Sequence, residues 1–368
     1  MRKNRWLCAA AAAVLVGLLA DALIVAPAEA AGRTKAKAKA KKKPKGGPTY
    51  IDPKDAPADW KTQGEYVGTC GDDKLGVQVI ALGDGCFQAV FYPGGLPGAG
   101  WDGKVRIPID GKAKNGKVVF EPSKAPKKYM AGPPEQFSAL RDNAPGGQKN
   151  WEAVLEGERM RGRTDGGKRF VAERIVRKSP TLGAKPPAGA VVLFDGTSAD
   201  AWQGGRMDDR KLLCASTASK QQFTDFALHL EFMTPFRPLA RSQGRGNSGV
   251  YLQHRYEVQV LDSFGLEGLD NECGGVYKKG RCKVNMCFPP LTWQTYDIEF
   301  TAPKFEGGKK VAPAYATIRH NGVVIHDKLK IDGKTGGAKG EEGQPGPIYL
   351  QGHGNPVFYR NVWIVPKK

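Results

Sequence analysis

Phe226-Ala227-Leu228-His229-Leu230-Glu231-Phe232 places an apolar side chain at every second position. A period of two puts those four residues on one face and Ala227, His229 and Glu231 on the other, which is the pattern of a half-buried strand. The pattern recurs on both sides of this stretch. Val250 and Leu252 alternate with Tyr251 and Gln253, and Val258 and Val260 alternate with Glu257 and Gln259. Tyr296, Ile298 and Phe300 repeat it, and two further runs flank His320-Asn321-Gly322, a two-residue hairpin signal of the type I′ kind. Ile348 and Leu350 alternate with Tyr349 and Gln351, and residues 358–365 close the series. So many short strands over residues 190–366 predict two packed antiparallel sheets.

Upstream, apolar or alternating runs fall at 64–68, 75–82, 86–92, 104–109, 117–120, 151–157 and 168–176, separated by turn signals such as Gly83-Asp84-Gly85 and Asn115-Gly116. They predict a second, smaller β domain over 50–178, a meander of hairpins closing into a barrel or sandwich. The polar, Pro/Gly-rich stretch 122–149 reads as a long loop, and 179–189 as a Pro-rich linker. The fold class is therefore all-β. No catalytic constellation stands out in the smaller domain, and an accessory role is expected for it.

The chain begins with Arg2, Lys3 and Arg5, an apolar run over 7–20 and the small-x-small triplet Ala28-Glu29-Ala30. This layout predicts a secretory signal peptide over 1–30 and an exported protein, periplasmic, cell-surface or extracellular. An uncleaved anchor is the alternative. Much of the net charge of +19 is concentrated in a Lys/Ala-rich segment over 31–49. Such a run cannot bury a core and reads as a disordered linker, either a plain spacer or a contact with an anionic surface or polymer. No nucleic-acid-binding signature accompanies it, so no specific nucleic-acid partner is expected. Loss of the leader leaves six cysteines: Cys70, Cys86, Cys214, Cys273, Cys282 and Cys287. In an exported chain an even count predicts disulfides, with Cys70 and Cys86 as one pair; the absence of a Cys-x-x-Cys motif argues against a zinc site, and no metal is expected.

A set of motifs in fixed order spans nearly all of the C-terminal half: Leu193-Phe194-Asp195-Gly196-Thr197, Gly246-Asn247-Ser248-Gly249-Val250-Tyr251-Leu252, Tyr256-Glu257-Val258-Gln259-Val260-Leu261-Asp262, Cys273-Gly274-Gly275-Val276-Tyr277, Leu350-Gln351-Gly352-His353-Gly354 and Tyr359-Arg360-Asn361-Val362. Residues 187–366 thereby resemble the 3-keto-disaccharide hydrolase family. The resemblance implies a concanavalin A-like jelly roll and cleavage of glycosides already oxidised to a ketone at carbon 3. No cofactor is implied, and a separate sugar 3-dehydrogenase would supply the substrate, since no dinucleotide-binding Gly-x-Gly-x-x-Gly unit is present.

Parity sharpens the site. With Val258 and Val260 facing the core, Glu257 and Gln259 project to the opposite face, where Tyr251, Gln253, Gln351 and His353 join them by the same count. Tyrosines stack on sugar rings and amides read hydroxyls, so this face reads as a saccharide groove. Glu257 is the candidate base, with an ion pair to Arg255 or Arg360 as its alternative. His353 is the candidate acid or enolate stabiliser, with a tight turn as the alternative. Asn247, Tyr251, Gln253, Gln259, Asp262, Tyr277, Gln351 and Arg360 are the candidate sugar contacts; Asp262 could instead cap the following loop. The long loop over 263–290 reads as a specificity element. A non-catalytic carbohydrate-binding or adhesion module on the same scaffold is the competing reading.

Overall fold

Eight strands, Gly64–Cys70, Asp73–Gly83, Cys86–Pro93, Ile107–Lys114, Lys117–Glu121, Glu152–Glu156, Arg159–Arg163 and Arg169–Ile175, follow one another as antiparallel neighbours, and the first pairs with the last to close a barrel. The computed structural model describes residues 46–124, 127–141 and 148–367. The expected signal peptide and nearly all of the Lys/Ala-rich linker lie outside the described residues. Seven of the strands coincide with the alternating runs. Arg159–Arg163 has no such signature because its inward positions are Met160 and Gly162, while Arg159 and Arg163 pair with Glu173 and Glu152 on neighbouring strands. The barrel interior holds Tyr66, Val77, Val79, Phe91, Ile109, Phe120, Trp151 and Phe170, with the Phe91 ring 4.9 Å from Trp151 and 5.2 Å from Phe170. Two strands are apolar on their outer face as well: Ile80, Leu82, Val90 and Tyr92 pack against Phe264 and Leu266 of the C-terminal half.

The C-terminal half is a two-sheet sandwich. One sheet runs Val191–Phe194, Phe358–Pro366, Phe226–Met233, Gln294–Thr301, Ala314–His320, Val323–Ile331, with Leu213–Cys214 also paired to Phe358–Pro366. The other runs Trp202–Gln203, Thr217–Phe223, Gly346–Leu350, Ser248–Leu252, Tyr256–Val260. Leu228, Leu230, Ile298 and Phe300 of the first meet Val250, Val258, Val260, Ile348 and Leu350 of the second in one core. The alternation of 226–232 is thus realised, yet His229 and Glu231 on the outward positions are buried too. The segment after the barrel covers them: Thr181 Oγ1 donates to Asp297 at 2.7 Å, the Gly183 N–H donates to Glu231 at 2.6 Å, and Asn361 and Trp363 donate to the Ala184 carbonyl. The Pro-rich connection is packed onto the sheet over these residues.

The expected disulfides are not formed; all six cysteines of the described residues are free thiols. For Cys70 and Cys86 the register gives the reason. Cys70 pairs with Asp73 at one end of the long second strand, and Cys86 pairs with Gly83 at its other end. At about 3.3 Å per residue the two sit roughly 30 Å apart, far beyond the roughly 7 Å that a disulfide tolerates.

Candidate functional site

The outer face of the five-stranded sheet carries Tyr251, Glu257 and Gln259, three of the residues that parity selected. Tyr251 stands directly opposite Glu257, Gly249 opposite Gln259, and Tyr349 opposite Tyr251. Cross-strand neighbours touch, and the Tyr251 hydroxyl lies 3.0 Å from Glu257 Oε2. Gly249 is required beside them: a Cβ there would fall 2.4 Å from Glu257 Oε1, so the carboxyl group occupies the space a side chain would take.

Tyr256–Val260 is an edge strand, and two distant segments cover it. Along the edge, Gln259 donates its N–H to the Gly275 carbonyl, Gly274 donates to the Gln259 carbonyl, and Tyr277 donates to the Glu257 carbonyl, each at 2.9–3.0 Å. The Thr335 hydroxyl accepts the Glu257 N–H at 2.9 Å on the same edge, and above the face the Tyr251 hydroxyl lies 2.6 Å from the Gly336 carbonyl. The Tyr277 ring lies against Gly336. Glu257 retains 4% exposure and Tyr251 1%.

Burial pushes the Glu257 carboxyl up to about 7, with the Tyr251 hydrogen bond opposing the rise. The Tyr251 hydroxyl, itself driven up by burial and by Glu257, has one proton and two acceptors in reach, Glu257 Oε2 and the Gly336 carbonyl. When Glu257 is ionised that proton serves the carboxylate. When Glu257 is protonated it can donate to the tyrosine oxygen, and the tyrosine proton turns to Gly336. Gln351 Nε2 donates to the same hydroxyl at 3.1 Å, which fixes the ring's position. Glu257 Oε1 has no hydrogen-bond partner among the described residues.

Unpartnered polar atoms belong to two residues that touch Tyr251. Gln351 Oε1 and His254 Nε2 are buried without a partner. His254 stacks on Tyr349, ring centroids 4.1 Å apart, and burial with nearby Lys339 and Arg255 lowers its pKa. Farther along the face Asn247, Gln259 and Gln243 form a small amide network, with Gln259 Nε2 donating to Asn247 Oδ1 at 3.1 Å. A surface offering a carboxyl group, amides and aromatic rings suits a polyhydroxylated ligand.

The structure thus brings Tyr251, Glu257 and Gln351 together, with Gln259 and Asn247 alongside and half-buried Tyr277 at the covered edge. Other expected contacts are engaged elsewhere. Gln253 lies in the turn with φ 53° and donates its amide to the Phe223 and Thr224 carbonyls. Asp262 is sealed in an ion pair with Arg245, at 2.7 and 3.0 Å. Arg360 belongs to the other sheet, where it pairs with Glu231 at 2.6 Å and lies over the Trp293 ring. Neither arginine considered as a partner for Glu257 reaches it: Arg255 bonds Gln253 and the Gln344 carbonyl. His353 follows Gln351 on an exposed loop; its carbonyl accepts from Asn355, its ring has no hydrogen-bond partner among the described residues, and no contact joins it to Glu257. A cavity of ≈ 490 Å³ opens beside this loop, between Arg206, Ser216, Gly352 and Asn355. A second cavity, ≈ 530 Å³, lies on the barrel near Cys86 and Lys112, away from the Glu257 face.

Gln243, His254, Thr335, Gly336 and Tyr349 also belong to the cluster and were not among the expected site residues. For Tyr349 the signal was present, since it shares the parity of Gln351. For Thr335 and Gly336 the only hint was the glycine-rich composition of residues 333–343.

Comparison with known proteins adds the family. Residues 189–365 match the family of 3-keto-alpha-glucoside-1,2-lyase-like domains. No curated protein matches the chain significantly. Among solved structures, a candidate glycosyl hydrolase from Parabacteroides distasonis shares 34% identity, covering 49% of this chain and 85% of its own, at a TM-score of 0.46. Two further candidate glycosyl hydrolases from the same organism share 18% identity (49% of this chain, 95% of theirs, TM-score 0.36) and 19% identity (48%, 99%, 0.36). Through its C-terminal sandwich, the chain belongs to the family of 3-keto-alpha-glucoside-1,2-lyase-like domains.

Proposed function

We propose that the protein is an exported enzyme that cleaves 3-keto-glycosides, with Glu257 as the base. A ketone at carbon 3 acidifies the hydrogen on carbon 2. Removing that proton gives an enolate, the enolate expels the substituent on carbon 1, and water then adds to the unsaturated product. The observation that carries this reading is the Glu257 carboxyl group: buried, raised to about 7, and bonded to Tyr251 with one oxygen left free. A base poised near neutrality combines a usable ionised fraction with enough basicity to take a carbon-bound proton. The Tyr251–Gln351 pair supports the carboxyl, and the unpartnered Gln351 Oε1 suits a substrate hydroxyl. His353, two residues beyond Gln351 and exposed, is proposed as the acid for the departing oxygen or the donor to the enolate. A sugar 3-dehydrogenase would form the substrate beforehand.

The test is release of monosaccharide from a 3-keto-disaccharide by purified protein. Glu257→Gln should lower the rate by roughly 10²–10⁴-fold, the range of a general base. A variant as fast as the parent would remove Glu257 from the role. Binding of the sugar by the parent without any release would instead make the domain a carbohydrate-binding module.

A further inference from the structure

The strap that closes the edge of the Glu257 strand does not end at the sandwich. Its chain leaves that strand at Leu261, and the next residues run into the barrel. Phe264 and Leu266 are buried against Ile80, Leu82, Val90 and Tyr92 on the barrel's outer face. Gly265, at φ +75°, sits so near that a Cβ would fall 2.5 Å from Ile80 Cδ1. Arg106, just ahead of the Ile107–Lys114 strand and 9% exposed, donates to the Gly265 carbonyl at 2.5 Å and the Leu266 carbonyl at 2.9 Å. The same guanidinium lies 3.8 Å from Glu267 and over the Tyr92 ring. The Arg141 N–H donates to Glu267 as well, at 2.8 Å.

From this anchor the contacts lead back to the site without a break. Asn285 Nδ2 donates to the Ser263 and Leu266 carbonyls, and Ser263 Oγ accepts the Cys273 N–H at 2.9 Å. Glu272 accepts the Gly268 and Leu269 N–H groups, folding the strap back on itself. The next residues, Gly274, Gly275 and Tyr277, are the ones bonded to Gln259 and Glu257, and the Tyr277 ring braces Gly336 above Tyr251.

We infer that the barrel is the positioning element of the candidate site: Arg106, gripping two carbonyls at the start of the strap, holds residues 263–277 against the edge of the Glu257 strand. A guanidinium bonded to two backbone carbonyls on a buried segment fixes both position and direction, which a point charge would not. Arg106 touches neither Glu257 nor the face beside it, so it is a positioning residue. The catalytic part of this inference rests on the function proposed above; the mechanical part does not.

Amide hydrogen exchange on the full chain tests the mechanical part. In Arg106→Ala, exchange at Gln259, Gly274 and Tyr277 should accelerate by roughly tenfold or more, the equivalent of losing one charge-assisted hydrogen bond, while the core strand Gln294–Thr301 keeps its parental rates. Arg106→Lys, which keeps the charge but not the planar Nη2 group that makes both bonds, should fall between. Gly265→Ala keeps the arginine but forces the strap, and with it the carbonyl that Arg106 grips, off Ile80; it should reproduce the local loosening and serves if Arg106→Ala does not fold. On a 3-keto-disaccharide, loosened variants should lose roughly tenfold or more in kcat with KM little changed, as a small misplacement of a reacting group does. Parental exchange at the three amides in Arg106→Ala and Gly265→Ala would overturn the inference whatever the activity. Acceleration spread evenly over the sandwich would overturn it too, because that is loss of global stability. If the parent releases no sugar, the functional reading fails, and the exchange pattern still decides whether the barrel holds the strap.

Discussion

The two outer faces of the sandwich each bury a glutamate, and the two carboxyl groups are driven in opposite directions. Glu257 is 4% exposed and raised to about 7; Glu231 is 1% exposed and lowered to about 2. Burial raises both. At Glu231 it is outweighed by the His229 ring 3.9 Å away and by hydrogen bonds from Asn361, the Gly183 N–H and Arg360. At Glu257 only the neutral Tyr251 hydroxyl opposes it. His229 follows the same logic: burial lowers its pKa, but Asp297 and Glu231 more than compensate and the net shift is upward. One face is a closed ionic cluster that fastens the 179–184 segment, and the other is a carboxyl group without a cation. Depth of burial alone therefore does not mark a reactive carboxyl; the partners decide.

Breaking the ionic face should have the largest effect on stability. Glu231→Ala takes the carboxylate from buried His229 and from Arg360, and because the Arg360 side chain is 38% exposed the cost should be about 2–3 kcal/mol, below that of a fully buried pair. Urea unfolding would measure it, and a loss under about 1 kcal/mol would show that the cluster is solvated well enough to do without Glu231. Glu257→Gln should do the reverse near neutral pH, because it replaces a carboxylate that burial disfavours.

The pH dependence separates the faces more finely. Between about 4.5 and 7 the folded state holds a proton on Glu257 that the unfolded chain has released, so this group makes stability fall as pH rises through that window. The span corresponds to about 3 kcal/mol at most. Glu272, also raised to about 7 by burial, adds a slope of the same sign. Glu231 contributes stability that is present above about 4.5 and lost as pH falls toward 2. Stability measured from pH 4 to pH 8 should therefore decline less steeply in Glu257→Gln than in the parent. Parallel curves would mean that Glu257 titrates normally, and its candidacy as a base near neutrality would fail with them.

The contrast also shows what the sequence could and could not reveal. A period of two placed Val258 and Val260 inward and put Tyr251 and Glu257 on the same outward face; their direct pairing came with the register of the strands. The covers on the two faces were not legible. Thr335 meets Glu257 across more than seventy positions, with separation |i−j| of 78, and the Gly183 N–H meets Glu231 with a separation of 48. Such contacts leave no periodicity, so neither the cover over His229 and Glu231 nor the anchoring of the 263–290 specificity loop could be read from the chain. The Gln253 placement failed for a local reason: positive φ at Gln253 and His254 turns the chain and ends the alternation on which the parity count relied. The barrel strand Arg159–Arg163 was hidden by its arginines, which satisfy charge on the outside while Met160 alone supplies the apolar signal.

The smallest effect belongs to the hydroxyl between Glu257 and Gly336. Tyr251→Phe keeps the ring and its packing and removes one hydrogen-bond donor, a change worth about 1 kcal/mol. Because that donor favours the ionised carboxyl, its loss should raise the Glu257 pKa further, and the acid limb of the pH–rate profile should move up by somewhat less than about one unit. Rates compared at a pH well above that limb should differ only several-fold, since the carboxylate itself survives. If the limb stays in place, the tyrosine proton already rests on the Gly336 carbonyl when Glu257 is charged. The carboxylate would then stand without any donor, and burial alone would set its basicity.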